Sequence, residues 1–206
     1  MSTSEPSIRL RLGPEVVQKL LPQRRPLLLV DTIDSYERGP TCALRASRHI
    51  SINEPIFEGH FPNYPLWPGA FIIEGLGQSC HLLAVISGIE QALTTAGRQP
   101  DEALQALREL QRALRGQPGA RATPSDLLQL LGTSLPPMGM LAAVNVRFSE
   151  RVFPGQRLDY FVRQAATQPS ATLLRFEVEA QSDNQIAARG DLIVTRGLPL
   201  AGSAPA

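Results

Sequence analysis

Residues 54–78 read EPIFEGHFPNYPLWPGAFIIEGLGQ, and this stretch determines how the rest of the chain is interpreted. Four prolines and two glycines surround His60 in its first part, which predicts a rigid loop without regular secondary structure. The second part opens an apolar segment, AFIIEGLGQSCHLLAVISG, that runs from residue 70 to residue 88. Its length favours a helix, and because most faces of that helix are apolar we expect it to be buried.

Strand patterns lie on both sides of this helix. Before it, alternating residues from Ile8 to Leu12 suggest a short strand, and Pro14 opens a short helix that ends at Pro22. Two further strands are predicted from Leu27 to Tyr36 and from Thr41 to Ile50, and four more at about residues 140–149, 157–167, 171–181 and 185–195. Strands before and after one central helix predict an α+β fold, with a curved antiparallel sheet wrapped around the helix.

The segment from about residue 90 to residue 137 differs in composition and is predicted to be a helical insertion into a single domain of residues 1–206. Its first helix should begin near Pro100-Asp101 and end at Gly116, and a second should begin at Thr123. These helices could cover a substrate opening, pack on another subunit or form a tolerated surface excursion. A flexible tail is expected at about residues 198–206.

Composition excludes several classes of function. The net charge is +1, so no overall field attracts nucleic acid or an anionic membrane. Cys42 and Cys80 lack the spacing of a metal site or a disulfide framework, and we expect buried thiols. The N-terminus lacks the apolar core of a signal peptide and no uninterrupted apolar run is long enough to cross a bilayer, which predicts a cytoplasmic protein.

Three residues of the opening stretch combine groups that move protons and bind an oxyanion. His60 is the type of side chain best suited to accept a proton near neutral pH. Gly69 stands where the helix begins, so unpaired backbone N–H groups and the positive end of the helix dipole meet there. Glu74 lies about 7.5 Å further along the axis, and a carboxyl group in apolar surroundings keeps its proton more readily. Loss of water from a 3-hydroxyacyl thioester needs such a base, acid and oxyanion donor.

A structural role for the histidine alone is common, whereas burying a lone glutamate without a purpose is costly. The pattern becomes more specific because it resembles the signature GHFPxxPxxPGxxxxEAxAQ of the 3-hydroxyacyl-[acyl-carrier-protein] dehydratases of the FabA/FabZ type. The matching positions are Gly59, His60, Phe61, Pro62, Pro65, Pro68, Gly69, Glu74 and Gln78. Residues 21–31, 53–55, 147–148 and 152–155 are similar to further segments of that family, so the resemblance leaves out only the N-terminal arm, the insertion and the tail.

The resemblance implies a hot-dog fold with active sites at a dimer interface, where His60 of one subunit faces Glu74 of the other. It implies that His60 removes the C2 proton, that Glu74 assists loss of the C3 hydroxyl, and that the Gly69 N–H binds the thioester oxygen. Residues implied to bind substrate are Phe61, Pro68, Ala70, Gln78 and Phe148. The implied partner is an acyl carrier protein whose phosphopantetheine carries the substrate, with no other cofactor and no metal. A homodimer or a trimer of dimers is expected.

Glutamate at position 74 is similar to the FabZ type, so the isomerase activity of the FabA type is not expected. Gly75 and Gly77 replace the two alanines of the signature, which predicts more room beside the catalytic carboxyl. Trp67 replaces a smaller aliphatic residue, and the insertion points to a specialised lipid or polyketide pathway. Two alternatives stay open: a hot-dog thioesterase in which Glu74 activates water, and a non-catalytic subunit that binds an acyl chain.

Other charged and titratable residues give weaker indications. His81 follows Glu74 by two helical turns and could support it, although packing in the core or at an interface is the simpler interpretation. His49 ends a strand and is expected to be structural. Five scattered arginines are interpreted as solvated surface or as cations for an acidic carrier protein: Arg24, Arg25, Arg38, Arg45 and Arg48.

Overall fold

A computed structural model describes residues 7–120, 139–166 and 172–195. The elements in these ranges, in chain order, are β1 (Ile8–Leu12), α1 (Pro14–Leu20), β2 (Thr32–Glu37), β3 (Ala43–His49), a 3-10 helix (Pro55–Glu58), α2 (Gly69–Thr95), α3 (Asp101–Leu114), β4 (Leu141–Phe148), β5 (Arg157–Gln164), β6 (Leu173–Ser182) and β7 (Gln185–Thr195). The second helix predicted for the insertion and the C-terminal tail lie outside the described residues.

The strands of the described ranges form one antiparallel sheet in the order β1-β2-β3-β5-β6-β7-β4. Alternate residues of β5 and β6 turn toward α2, which gives these strands the period-two burial expected of a sheet with one covered face. The opposite face carries charged side chains that pair across strands, as in Arg163 with Glu37 and Arg189 with Glu179. One face of the sheet therefore packs on the helix and the other meets solvent.

The helix α2 forms the centre of the hydrophobic core. Its buried face includes Leu76, Leu83 and Ile86, which belong to the same apolar cluster as Tyr160 and Phe176 of the sheet. Among the described residues, α2 is the one helix long and apolar enough to cross a membrane, but the core helix of a folded domain has the same properties. A long apolar helix packed against an antiparallel sheet is the arrangement of the hot-dog fold, which the resemblance implied.

The helix α3 packs on the N-terminal arm. Its residues Ala103, Leu104 and Leu107 are buried. The Gln111 side chain accepts a hydrogen bond from the Gly13 N–H at 2.5 Å and donates to the Arg11 carbonyl at 3.1 Å. The first helix of the insertion is therefore anchored to the N-terminal arm.

A polar cluster joins α3 to the sheet and to the end of α2. Glu90 is buried and accepts hydrogen bonds from the Tyr36 hydroxyl at 2.9 Å and from the Arg38 guanidinium at 2.7 and 2.9 Å. Arg38 also pairs with Asp101, the first residue of α3, at 2.6 Å. Burial and the nearby Glu90 carboxylate raise the pKa of Tyr36, so its hydroxyl keeps the proton that it donates.

Most of the predicted elements are confirmed, with three differences. The loop predicted to lack regular secondary structure contains the 3-10 helix at Pro55–Glu58. The strand predicted from Leu27 to Tyr36 begins only at Thr32, because the Leu27 carbonyl and the Leu29 N–H bond to the Gln78 side chain instead of to a neighbouring strand. The central helix continues beyond Gly88 to Thr95, because Glu90 finds its partners inside the protein.

Candidate active site

The loop between β3 and α2 holds the His60 ring in one orientation. Nδ1 of His60 lies 2.7 Å from the Leu66 carbonyl oxygen, and Leu66 N–H donates back to the His60 carbonyl at 3.0 Å. A carbonyl oxygen only accepts, so Nδ1 carries a proton and the neutral ring has its lone pair at Nε2. The Phe61 ring stacks on the imidazole with centroids 4.1 Å apart. This arrangement leaves Nε2 available as a base.

The N-terminus of α2 offers free backbone donors. Phe71 and Ile72 N–H groups donate to the Pro68 carbonyl, whereas those of Gly69 and Ala70 have no hydrogen-bond partner among the described residues. A Cβ added at Gly69 would lie 3.0 Å from two carbons of the Phe148 ring, so the absence of a side chain lets that ring approach. Two predicted site residues, Gly69 and Phe148, are thus in contact, and the donors beside them suit an oxyanion.

Glu74 lies one and a half turns into α2 and is held by Gln78. The Gln78 amide nitrogen donates to Glu74 Oε1 at 2.9 Å and to the Leu27 carbonyl at 2.6 Å, and its oxygen accepts from the Leu29 N–H at 2.9 Å. Gln78 is buried, which fixes this chain of bonds. Glu74 itself is only partly buried within one chain, which is less than the sequence interpretation expected. Among the described residues, Glu74 and His60 share no hydrogen bond.

The two glycines after Glu74 have opposite surroundings. A Cβ at Gly75 would lie 2.3 Å from the Tyr160 hydroxyl oxygen, so the predicted free space is wrong at this position. At Gly77 no atom lies within 4 Å, and the prediction of extra room is confirmed there. Tyr160 is fully buried, its hydroxyl makes no hydrogen bond within the described residues, and burial raises its pKa.

Arg48 is the residue near the site whose role the sequence interpretation missed. Its side chain is 11% exposed and pairs with Asp31 at 2.9 Å and with Glu54. Trp67 lies beneath its guanidinium, with 6.0 Å between the guanidinium carbon and the ring centroid. Arg38 is likewise paired in the interior with Glu90, so the interpretation as solvated surface cations is wrong for these two arginines. The sequence feature that could have indicated a role for Arg48 is its position five residues before the Asn53-Glu54-Pro55 segment, which is similar to the family.

Comparison with known proteins agrees with this geometry. The family model of the FabA-like domain matches residues 21–107, which include the His60 loop, the start of α2 and Gln78. Residues 21–107 are thus similar to a FabA-like domain, over less than half of the chain. Two relatives of the matched region are both named 3-hydroxyacyl-[acyl-carrier-protein] dehydratase FabZ. One, from Nitratiruptor sp., is 47% identical over 75 residues, or 36% of this chain and 49% of the relative. One from Neisseria meningitidis is 44% identical over 80 residues, or 39% and 52%.

The chain spans about half the length of the curated relatives that it matches. Among solved structures, a chain of the dehydratase heterocomplex ApeI:P from Xenorhabdus doucetiae aligns over 88% of this chain and 91% of its own, with a TM-score of 0.51 and 15% sequence identity. At that identity the alignment concerns the fold alone. Because it covers 88% of the chain, the similarity of fold extends beyond residues 21–107.

Other features of the described residues are less informative about function. Among residues 7–120, 139–166 and 172–195, no group of three or more His, Cys, Asp or Glu side chains could hold a metal ion. A groove of about 770 Å³ lies on the outer face of the sheet around Arg45 and Phe161, and no residue of the His60 and Glu74 motif lines it. Burial lowers the pKa of His81 and raises that of the Cys80 thiol, so both side chains are held neutral.

Proposed function

We propose that this protein dehydrates 3-hydroxyacyl groups carried on acyl carrier protein and releases trans-2-enoyl thioesters. The observation that carries the proposal is the protonated Nδ1 of His60 against the Leu66 carbonyl, which leaves Nε2 free as a base. Free N–H groups at Gly69 and Ala70 and the carboxyl of Glu74 supply the remaining parts. The names of the FabZ relatives support the same substrate class.

The steps follow from the groups available. Nε2 of His60 takes the proton from C2 while the Gly69 N–H donates to the thioester oxygen, whose negative charge increases in the transition state. The C2 electron pair forms the C2–C3 double bond as the C3–O bond breaks, and Glu74 protonates the departing hydroxyl, which leaves as water. His60 is then protonated and Glu74 ionised, so a proton transfer between them or through water restores the enzyme.

The remaining implied residues have roles that fit this proposal. Gln78 donates to Glu74 and thereby orients its carboxyl group. Phe61 and Phe148 are each about half exposed and lie against His60 and Gly69, where they can contact the acyl chain or its pantetheine arm. Pro68 and Ala70 border the oxyanion donors. All groups in the mechanism belong to the protein, so the only prosthetic group we propose is the phosphopantetheine of the carrier.

We propose further that the active unit is a homodimer in which His60 and Glu74 come from different subunits. The absence of a hydrogen bond between them among the described residues of one chain is consistent with this arrangement. The edge strand β4 exposes Leu141, Val144 and Phe148 by 42–50%, and an edge strand with an apolar surface needs a covering partner to stay soluble. A second copy is the partner that the shared site requires.

The proposed pathway is fatty acid or specialised lipid synthesis in the cytoplasm. The names of the relatives support carrier-bound 3-hydroxyacyl substrates. Gly75, which stands where the signature has alanine, makes space for the buried Tyr160, and this departure is the feature by which we propose that the site accepts a different acyl chain. Assays over several chain lengths would show whether a short, long or branched chain is preferred.

The direct test uses purified protein with 3-hydroxyacyl carrier proteins of several chain lengths, followed by mass spectrometry of the acyl group and measurement of free thiol. We expect enoyl product from the wild type and none from His60→Ala or Glu74→Gln. Thiol release without enoyl product would instead support a thioesterase. Binding of acyl chains without any turnover would support a non-catalytic subunit.

A further inference from the structure

Arg48, near the end of β3, contacts three separate segments of the chain. Its NH1 group donates to the Leu28 carbonyl at 3.2 Å and to Asp31 Oδ1 at 2.9 Å, and its NH2 group donates to the Glu54 carboxylate. The plane of Trp67 lies beneath the guanidinium. At 11% exposure the Arg48 side chain is largely withdrawn from solvent.

Two of these segments are the two ends of the loop that carries His60. Glu54 immediately precedes the 3-10 helix, in which the Ile56 carbonyl accepts the His60 N–H at 2.9 Å. Trp67 immediately precedes Pro68, the N-cap of α2. The backbone N–H of Trp67 donates to the Val152 carbonyl at 2.8 Å. A shift at either end would therefore move the imidazole relative to the Gly69 N–H.

The third segment supports the acid. Leu28 lies between Leu27 and Leu29, the two residues whose backbone groups bind Gln78, and Gln78 donates to Glu74. The Arg48 guanidinium is therefore one residue away from contacts that orient Glu74. The Arg48 side chain is therefore connected to the loop that carries His60, to the start of α2 with its oxyanion donors, and to the residues that hold Glu74.

Only an arginine satisfies all these contacts together. Its planar fork donates in several fixed directions and can also stack on an aromatic ring. A lysine ammonium at the same place could pair with one carboxylate but would not reach Asp31, Glu54 and the Leu28 carbonyl while also covering the Trp67 ring. Asp31 is further committed because its other oxygen accepts the His49 N–H at 2.8 Å.

We propose that Arg48 is a positioning residue of the dehydration site, which sets the placement of His60 and Gly69 relative to the support of Glu74. This inference rests on the proposed function, because the groups it aligns are the proposed base, oxyanion donor and acid. Arg48 acts through Glu54, Trp67 and Leu28 and does not touch the substrate.

The test compares Arg48→Lys with Arg163→Lys. Arg163 is a matched control because it also bonds one carbonyl, that of Thr41 at 3.0 Å, and one carboxylate, that of Glu37 at 2.7 Å, but on the exposed outer face of the sheet. We expect Arg48→Lys to lower kcat at least about tenfold, with KM changed by less than about threefold, because small misplacements of catalytic groups are costly. Arg163→Lys should stay within about twofold of the wild type in both constants.

A second readout does not depend on turnover. The chain contains three histidines, so the ring nitrogens of His60 can be assigned by nitrogen NMR of the full-length protein with a His60→Gln reference. In the wild type and in Arg163→Lys, the neutral His60 ring should carry its proton at Nδ1. In Arg48→Lys the His60 signals should move toward a mixture of both tautomers, because the bond to the Leu66 carbonyl is no longer enforced.

Unchanged kcat and unchanged His60 resonances in Arg48→Lys would overturn the proposal. So would a lower melting temperature with a lost kcat but unchanged His60 resonances, because Arg48 would then support only the fold. If the wild type made no enoyl product, the proposed dehydratase function would fail, while the NMR comparison would still decide whether Arg48 positions His60. Glu54→Gln provides a second variant, in which the same shift of the His60 signals is expected.

Discussion

Gly75 and Gly77 lie two residues apart on α2, and a methyl group added at each meets different surroundings. At Gly75 the new carbon would lie 2.3 Å from the hydroxyl oxygen and 2.4 Å from Cζ of Tyr160, which is fully buried. At Gly77 the new carbon would have no neighbour within 4 Å. The same substitution should therefore change the stability in opposite directions.

The magnitudes follow from two terms. Replacing glycine by alanine inside a helix stabilises it by about 1 kcal/mol, and Gly77→Ala should show this gain in full. Forcing an additional carbon into a packed core costs about 1–3 kcal/mol. Gly75→Ala should therefore range from unchanged to about 2 kcal/mol less stable than the wild type, which places it about 1–3 kcal/mol below Gly77→Ala.

The assay is the free energy of unfolding from denaturant titration of both variants, alone and combined with changes at Tyr160. Tyr160→Phe should not relieve the clash, because Cζ remains at 2.4 Å from the new methyl group. In a Tyr160→Leu background the Gly75→Ala change should become favourable, with a coupling of about 1–3 kcal/mol between the two sites. Equal stability of Gly75→Ala and Gly77→Ala would refute this reasoning.

Three further predictions concern stability and assembly. Tyr36→Phe should lower the free energy of unfolding by about 1–3 kcal/mol, because Glu90 loses a hydrogen-bond donor. Tyr160→Phe should leave the stability unchanged or raise it by up to about 1 kcal/mol, because it removes a buried hydroxyl that has no partner among the described residues. Thermal melts of the two variants provide the comparison. Because the pKa of His81 is lowered in the folded protein, the unfolded chain binds more protons, and the stability should fall as the pH drops below about 6.5. The fall should be less steep in His81→Asn. Unfolding measured at several pH values tests this. Val144→Asp should leave the fold intact but yield monomers by light scattering, and a variant that remained dimeric and active would exclude β4 from the interface.

The sequence alone predicted the parts of the fold that local patterns specify. The apolar run from residue 70 to residue 88 identified α2, and alternating residues identified β5 and β6. The end of α2 was missed because Glu90 is held by Tyr36 and Arg38, which lie more than fifty residues earlier in the chain. Long-range pairing of this kind leaves no local periodicity.

In the candidate site, too, local sequence patterns were predictive and long-range contacts were not. His60, Gly69 and Glu74 could be proposed from one stretch of 15 residues. The environment of Gly75 could not, because Tyr160 comes from β5, far along the chain. Arg48 resembled other scattered arginines in the sequence, and only the fold places Asp31, Glu54 and Trp67 around it.

The central claim is that His60 and Glu74 act as base and acid from opposite subunits, and the most direct test is a mixed dimer. His60→Ala and Glu74→Gln chains with different tags can be produced together and the mixed dimer purified, with a dimer of wild type and His60→Ala/Glu74→Gln as the control. In a two-fold dimer with shared sites, one of the two sites in the mixed dimer contains both native residues.

Each variant alone should form no enoyl product from a 3-hydroxyacyl carrier protein, and the mixed dimer should recover about half of the wild-type turnover per dimer. In the control dimer every shared site lacks one of the two residues, so no turnover is expected. Activity in the control dimer but not in the mixed dimer would show that each site lies within one chain. Full dehydration by Glu74→Gln alone would contradict its role as the acid.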